Sequence, residues 1–241
     1  MSVETKMMAQ WWQSPLGQLV LLEEKDLLQC LKAHFYGHFQ LQVYGSTVLL
    51  PQLTDASNQI VMDPAFSLDG QAESLPFKSH SIDTVLLPHV LEFSTDPHQV
   101  LREVDRVLVA DGTVVLCCFN PLSLWGLRRL LSYQDTLPWQ GHYFSQVRVK
   151  DWLRLLNFEV IDVKKIMFRP PVRTAEWLAR FSIMERWGKR FWPFFGGVTV
   201  LVATKRTIPL TPIHLHWRYK QLFPSGRFIK KTVSRWSSKS E

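Results

Sequence analysis

The chain has 241 residues, 46% of them hydrophobic, with 15 Phe and 10 Trp to fill a core, a length that suits one α/β domain. No apolar run is long enough for a membrane span, the start MSVETKMMAQWW lacks the basic-then-apolar build of a signal peptide, and Cys30, Cys117 and Cys118 have no metal-ligand spacing. Those features speak against stable membrane insertion, a disulfide scaffold and a thiolate metal centre, and they point to reduced thiols in a cytoplasmic protein. Net charge is +7, but from Lys205 onward nine Lys or Arg face one acid, Glu241, so the tail carries +8 and the body −1.

Taken in order, Ser14-Pro15 reads as a helix start, a cap followed by proline at the first helical position. Leu16, Leu19, Val20, Glu23, Leu27, Leu28 and Leu31 give a mostly apolar face to about His34, and Trp11 and Trp12 either pack this helix on the body or cover a site. Phe39–Tyr44 reads as a first strand that Gly45 ends, Gln59–Met62 as a second that ends at Asp63, and Ser67–Gln71 as a third or its remnant. Pro51 interrupts any helix after Gly45.

The best-defined unit follows. Ile82–Leu87 and Thr113–Phe119 are short apolar runs with little polar alternation, the pattern of strands covered on both faces. Between them Asp96 caps a helix, Pro97 fits its first turn, and Val100, Leu101, Val104, Val107 and Leu108 mark its buried face. Asp111-Gly112 turns the chain into the next strand. Strand, helix and strand in this span imply a right-handed crossover.

Beyond it, Ser123–Leu131 reads as a helix, Tyr133–Tyr143 as a loop that is a candidate site cover, and Gln146–Leu156 as a helix capped by Ser145. Asn157–Val163 reads as a sixth strand, Thr174 as the cap of a helix to about Trp187, and Val198–Ala203 as a last strand opened by Gly196-Gly197. Residues 207–241, rich in proline, serine and basic side chains, read as a flexible tail after a domain spanning 1–206. Its charge suits RNA or another anionic surface, or serves only solubility.

One stretch carries a resemblance. Ala72-Glu73-Ser74-Leu75-Pro76-Phe77, Ser81-Ile82-Asp83-Thr84-Val85, His89-Val90-Leu91-Glu92-Phe93, Asp96-Pro97, Leu101–Leu108, Asp111-Gly112 and Asn120-Pro121 follow one another in order. In that arrangement the segment resembles the core of the class I S-adenosylmethionine-dependent methyltransferases, type 11 group. The resemblance implies a Rossmann-like three-layer sandwich around a mostly parallel seven-stranded sheet with an antiparallel last strand. It also implies S-adenosyl-L-methionine as cofactor and leans toward a small-molecule acceptor.

Family positions then transfer residue by residue. Tyr44 and Gly45 form the turn that passes the methionine portion, with one glycine where the family commonly has two or three. Asp63 stands where an acid holds the ribose hydroxyls, although Asp63-Pro64 is also a plain turn. Gln71 replaces the usual acid beside the adenine amino group and keeps only a carbonyl acceptor. Ala72 and Glu73 border the adenine, with a solvated loop charge as the other reading of Glu73. Asp83 is structural. Leu87, Pro88 and His89 lie at the mouth of the site, where His89 is a base, a donor or a structural histidine. Asn120, at the end of the fifth strand, is placed to fix a substrate. A chain with these residues reads as a methyltransferase, or as a degenerate relative that binds ligand, protein or RNA without turnover.

Overall fold

The computed structural model describes residues 10–45, 47–51, 58–63, 68, 70–131, 138–172 and 174–207. By its contacts the chain divides at Thr207/Ile208, and all described residues belong to the first unit. Helix α1 (Pro15–Cys30) opens the fold as its sequence predicts, with the Ser14 hydroxyl accepting from the Gly17 N–H and proline in the first turn. Strands β1 (Phe39–Val43) and β2 (Asn58–Met62) follow, then β3 (Ile82–Pro88), helix α2 (Pro97–Val107) and β4 (Leu108–Phe119). The second half runs through α3 (Leu124–Leu131), α4 (Gln146–Leu155), β5 (Phe158–Ile166), α5 (Ala175–Arg180), α6 (Ser182–Phe191) and β6 (Val198–Lys205).

The strands form one sheet in the order β2-β1-β3-β4-β6-β5. β2, β1, β3 and β4 run parallel, and β6 is antiparallel to both β4 and β5. All eight residues of β6 are buried, Thr199, Thr204 and Lys205 among them, so the strand is covered on both faces. Side chains alternate across the sheet. Val85, Leu87, Val114 and Leu116 pack with Val100, Leu101 and Val104 of α2 and with Val149 and Leu153 of α4. Leu86, Val115, Cys117 and Phe119 pack on the other side with Leu16, Val20 and Leu28 of α1 and Trp125 of α3. The result is a helix–sheet–helix sandwich. Each fully buried leucine or valine in these layers contributes about 1.5–3 kcal/mol.

Two expectations are corrected. The sheet has six described strands rather than seven; of the expected third, the described Leu68 makes one parallel bridge to Met62. Gly70 presses on Met62, where a Cβ would meet Sδ at 2.9 Å, and the chain turns at once between Gln71 and Ser74. Residues 64–67 and 69 of that segment lie outside the described set, as do 132–137 of the expected cover and 208–241 of the tail. The helix expected from Thr174 to Trp187 is two helices, broken at Phe181.

At the amino ends of the strands Asp83 ties β3 to β1. Its Oδ2 accepts from the backbone N–H groups of His38 and Phe39, at 2.9 Å each. Gly37, with φ of 88°, is required there, since a Cβ would lie 2.2 Å from that of Asp83. The assignment of Asp83 to structure thus has its physical basis, and the opposite edge of the sheet is left for function.

Candidate active site

The carboxyl ends of β1 to β4 share one edge. Past β1 and β3 the chain bends through the left-handed region, at Tyr44 (φ 59°) and His89 (φ 54°), a conformation that non-glycine residues seldom adopt. The buried Gln42 side chain shapes the first bend. Its Nε2 donates to the carbonyls of Tyr44 (3.1 Å) and Thr47 (2.7 Å), and its Oε1 accepts from Leu49 N–H at 2.8 Å. Gly45 completes the turn at φ 127°, its N–H donating to Asp63 Oδ2 at 3.2 Å. The Tyr44 hydroxyl donates to the Gly70 carbonyl at 2.8 Å. A Cβ on Gly45 would meet Gln42 Nε2 at 2.7 Å and Pro88 Cγ at 3.5 Å. Tyr44, Gly45, Asp63, Pro88 and the start of the 70–73 turn therefore come together around one point.

Within that turn Gln71 is exposed and Ala72 is buried. The Leu87 side chain points into the core against α2 and α4, so only its backbone belongs to the edge. The Glu73 carboxylate is directed away, accepting from Ser94 Oγ at 2.6 Å and Thr95 Oγ1 at 3.2 Å. Burial alone would raise its pKa, but these hydroxyls, Ser94 first, hold it below the ordinary glutamate value. The following residues are pinned from α2. Glu103 accepts from Leu75 N–H, and Arg106 donates to the carbonyls of Leu75 and Phe77 and to Glu103 itself. The helix charges at 103 and 106 are thus a brace for the loop.

His89 is not at an open mouth. It is 2% exposed and lies between two buried glutamates: Nε2 is 2.6 Å from Glu24 Oε1, and Nδ1 is 3.1 Å from Glu92 Oε1. Its ring stacks on Phe119 with centroids 4.0 Å apart, and Trp12 closes over it at 5.6 Å. Burial alone would lower its pKa; the adjacent Glu24 carboxylate, then Glu92, reverse this and raise it to about 10. That direction favours the imidazolium at neutral pH. Glu92 Oε1 also accepts from Phe119 N–H at 2.6 Å, which fixes the end of β4. The Oε2 atoms of Glu24 and Glu92 have no hydrogen-bond partner among the described residues. Burial, with the nearby Glu92 and Glu24 carboxylates, pushes the Cys117 and Cys118 thiols well above their ordinary values, so neither is a ready nucleophile.

Asn120 is likewise engaged. Its Nδ2 donates to the carbonyls of Phe194 (3.0 Å) and Gly196 (2.9 Å), and its Oδ1 accepts from Leu122 N–H at 3.1 Å. In this arrangement it joins the end of β4 to the start of β6. The 138–143 segment packs onto the loop after β3: His142 N–H donates to the Glu92 carbonyl at 2.8 Å, and Tyr143 stacks on Phe119.

Sequence reasoning passed over Glu24 and Gln42. Glu24 sits at the four-residue spacing of Leu16, Val20 and Leu28, so an acid interrupting the buried stripe of α1 was the available signal. Gln42 sits in the alternating strand Phe-Gln-Leu-Gln-Val, a pattern that reads as one polar face, and carried no such signal; its burial with Gln40 is seen only in the structure. The donor set at the edge fits S-adenosylmethionine. Asp63 offers carboxylate chemistry at the end of β2, Gln71 an exposed amide, and Gly45 a turn without side-chain bulk.

Residues 28–116 match a family model described as a methyltransferase domain. The uncharacterized protein YafS of Escherichia coli (strain K12) is 42% identical over 206 residues, covering 83% of this chain and 82% of the relative. The chloroplastic 2-methyl-6-phytyl-1,4-hydroquinone methyltransferase 1 of Oryza sativa subsp. japonica is 25% identical over 117 residues, which is 48% of this chain and 33% of that protein. A solved S-adenosylmethionine-dependent methyltransferase of Thermotoga maritima shares the fold with a TM-score of 0.56 at 20% identity, over 77% of this chain and 89% of its own. With the strand-end geometry, these matches place the chain in the type 11 group of the class I S-adenosylmethionine-dependent methyltransferases, a transferase that takes S-adenosylmethionine as its cofactor.

Proposed function

We propose that this methyltransferase works in the cytoplasm on a small molecule whose accepting atom arrives already nucleophilic. The observation that carries the reading is the enclosure of His89, whose two ring nitrogens both face buried carboxylates. An imidazolium held between Glu24 and Glu92 at 2.6 and 3.1 Å has no lone pair with which to take a proton. Asn120 has no base chemistry, and its amide is bonded to backbone on both sides. Bound S-adenosylmethionine supplies a methyl group already activated as a sulfonium. The chain's own contribution is then to bind, orient and exclude water.

In this reading Tyr44, Gly45, Asp63, Gln71, Ala72 and the backbone of Leu87 and Pro88 hold the cofactor. Asp63 accepts from ribose hydroxyls, and the Gln71 amide borders the adenine. Glu73 acts through its bonds to Ser94 and Thr95, fixing the turn. His89 and Asn120 position the ends of β3 and β4 rather than react. The name of the rice relative, a hydroquinone with a phytyl chain, supports a small acceptor. Three free cysteines support a reducing compartment.

The engagement of both His89 and Asn120 equally favours a second reading, ligand binding without turnover. One experiment separates the two: methyl-labelled S-adenosylmethionine incubated with the protein and, separately, a small-molecule extract and total RNA, beside calorimetry of cofactor binding. Label in a small organic product supports the proposal. Label in RNA overturns it, and binding heat without transfer to either pool selects the second reading.

A further inference from the structure

We propose that the face built by α3, α6 and the segment after α6 docks on the surface of an anionic phospholipid bilayer. The argument begins with how α6 is held. Glu185 turns inward and accepts from the N–H groups of Met167 (3.2 Å) and Phe168 (2.9 Å). Gly188 lies on the same side, where a Cβ would meet that of Phe168 at 2.4 Å. This inner face is set, so Ile183, Trp187 and Phe191, four residues apart, must point outward. They are 57%, 60% and 62% exposed. A surface helix ordinarily turns its polar face to water; here the outward face is aromatic.

The apolar surface continues on both sides of α6. Beyond it, Trp192, Phe194 and Phe195 are also exposed. Toward α3, Leu124 shares with Ile183, Trp187, Trp192 and Phe195 the wall of a cavity of about 520 Å³. Leu127 and Leu131 extend the row from Leu124 along that helix and are exposed. A continuous patch of this extent marks an interaction surface.

Charge selects the occupant. From Trp177 to Phe195 the sequence holds four basic residues and one acid, and that acid is the buried Glu185. Arg180 lies over the Trp177 ring at 5.6 Å, Lys165 donates to the Phe194 carbonyl and lies 5.6 Å from its ring, and Arg190 is exposed. Protruding Trp and Phe rimmed by Arg and Lys, with no exposed acid in that span, is the composition that partitions into the headgroup region of an anionic membrane. The cavity offers such a surface a dry recess for an acyl chain. No described helix is long and apolar enough to cross a membrane, so the attachment is peripheral.

The test is sedimentation of the full chain with vesicles of phosphatidylcholine alone and with phosphatidylglycerol added, at low and high salt. The expected result is binding to the anionic vesicles, weakened by salt, with tryptophan fluorescence quenched by brominated lipid. Trp187→Ser/Phe191→Ser should bind at least about tenfold more weakly, and Arg180→Glu/Arg190→Glu should lose the preference for phosphatidylglycerol, with the heat of S-adenosylmethionine binding unchanged in both. Wild type left in the supernatant overturns the proposal. So does the first variant binding as well as wild type, which would move the attachment elsewhere, for example to residues 208–241. Vesicle binding without quenching overturns it too, as does a wild-type dimer that the first variant dissociates, which would make the face a contact between copies.

Discussion

The Nε2 atom of His89, just past β3, lies 2.6 Å from Oε1 of Glu24 in the middle of α1, across 65 residues of sequence and inside the protein. This contact ties the first helix to the carboxyl edge of the sheet. It also sets a pH dependence. Unfolded, the imidazole releases its proton near 6.5; folded, it holds it to about 10, because the neighbouring carboxylates outweigh the burial that would otherwise lower the value. The stabilisation is therefore complete below about 6.5 and is lost as pH rises through about 10. Denaturant unfolding of wild type and His89→Gln across that window should show the gap between them closing with rising pH. Glu24→Leu, which removes the nearer carboxylate and leaves Glu92 as the remaining partner of the imidazolium, should cost about 1.5–3 kcal/mol at neutral pH, the range of a hydrogen bond to a charged group. A gap that does not change with pH would mean that His89 is neutral when buried.

A second prediction concerns the brace beneath the loop that follows the Gln71–Ser74 turn. Arg106 donates to the Leu75 and Phe77 carbonyls, and Glu103 accepts from Leu75 N–H. Arg106→Met keeps the stem and removes the donors. With about 1 kcal/mol for each lost bond, partly replaced by water because the side chain is 36% exposed, the expected loss is about 1–3 kcal/mol. Hydrogen exchange at Leu75 should speed up while that of β4 stays slow. Equal acceleration in both places would show a global effect and count against a local brace.

The parts that could be read from the sequence were those set by local rules. Asp96-Pro97 and Ser14-Pro15 each combine a capping side chain with a fixed φ, and both helices start there. The apolar runs of β3, β4 and β6 are strands buried on both faces. Asp83 owes its structural reading to the family resemblance alone; the backbone N–H groups of His38 and Phe39 that its carboxylate holds lie 45 and 44 residues away in the sequence. Long-range pairing was not legible. Nothing local to His89 says that Glu24 will meet it, so a histidine read as a base, a donor or a structural residue at the mouth is buried between two carboxylates. Asn120 was read as facing a substrate because its position in the strand was visible while its carbonyl partners, 74 and 76 residues away, were not.

The last prediction tests the cofactor edge. Gly45 combines a φ of 127° with close contacts to Gln42 and Pro88. Alanine there must strain the backbone and push against the Gln42 amide, which ties Tyr44, Thr47 and Leu49 into one turn. Gly45→Ala should therefore weaken S-adenosylmethionine binding about tenfold or more, equivalent to about 1.4 kcal/mol or more. Asp63→Asn isolates the charge. An amide oxygen can still accept from Gly45 N–H, so the turn should survive, while the charge-assisted bonds proposed for the ribose become neutral ones of roughly half the strength. Calorimetry should show a loss of affinity of about tenfold for Asp63→Asn with a nearly unchanged melting temperature. If Asp63→Asn binds as tightly as wild type while Gly45→Ala does not, the carboxylate serves the turn alone and the ribose is held by other groups. If both bind normally, the cofactor does not pass the end of β1.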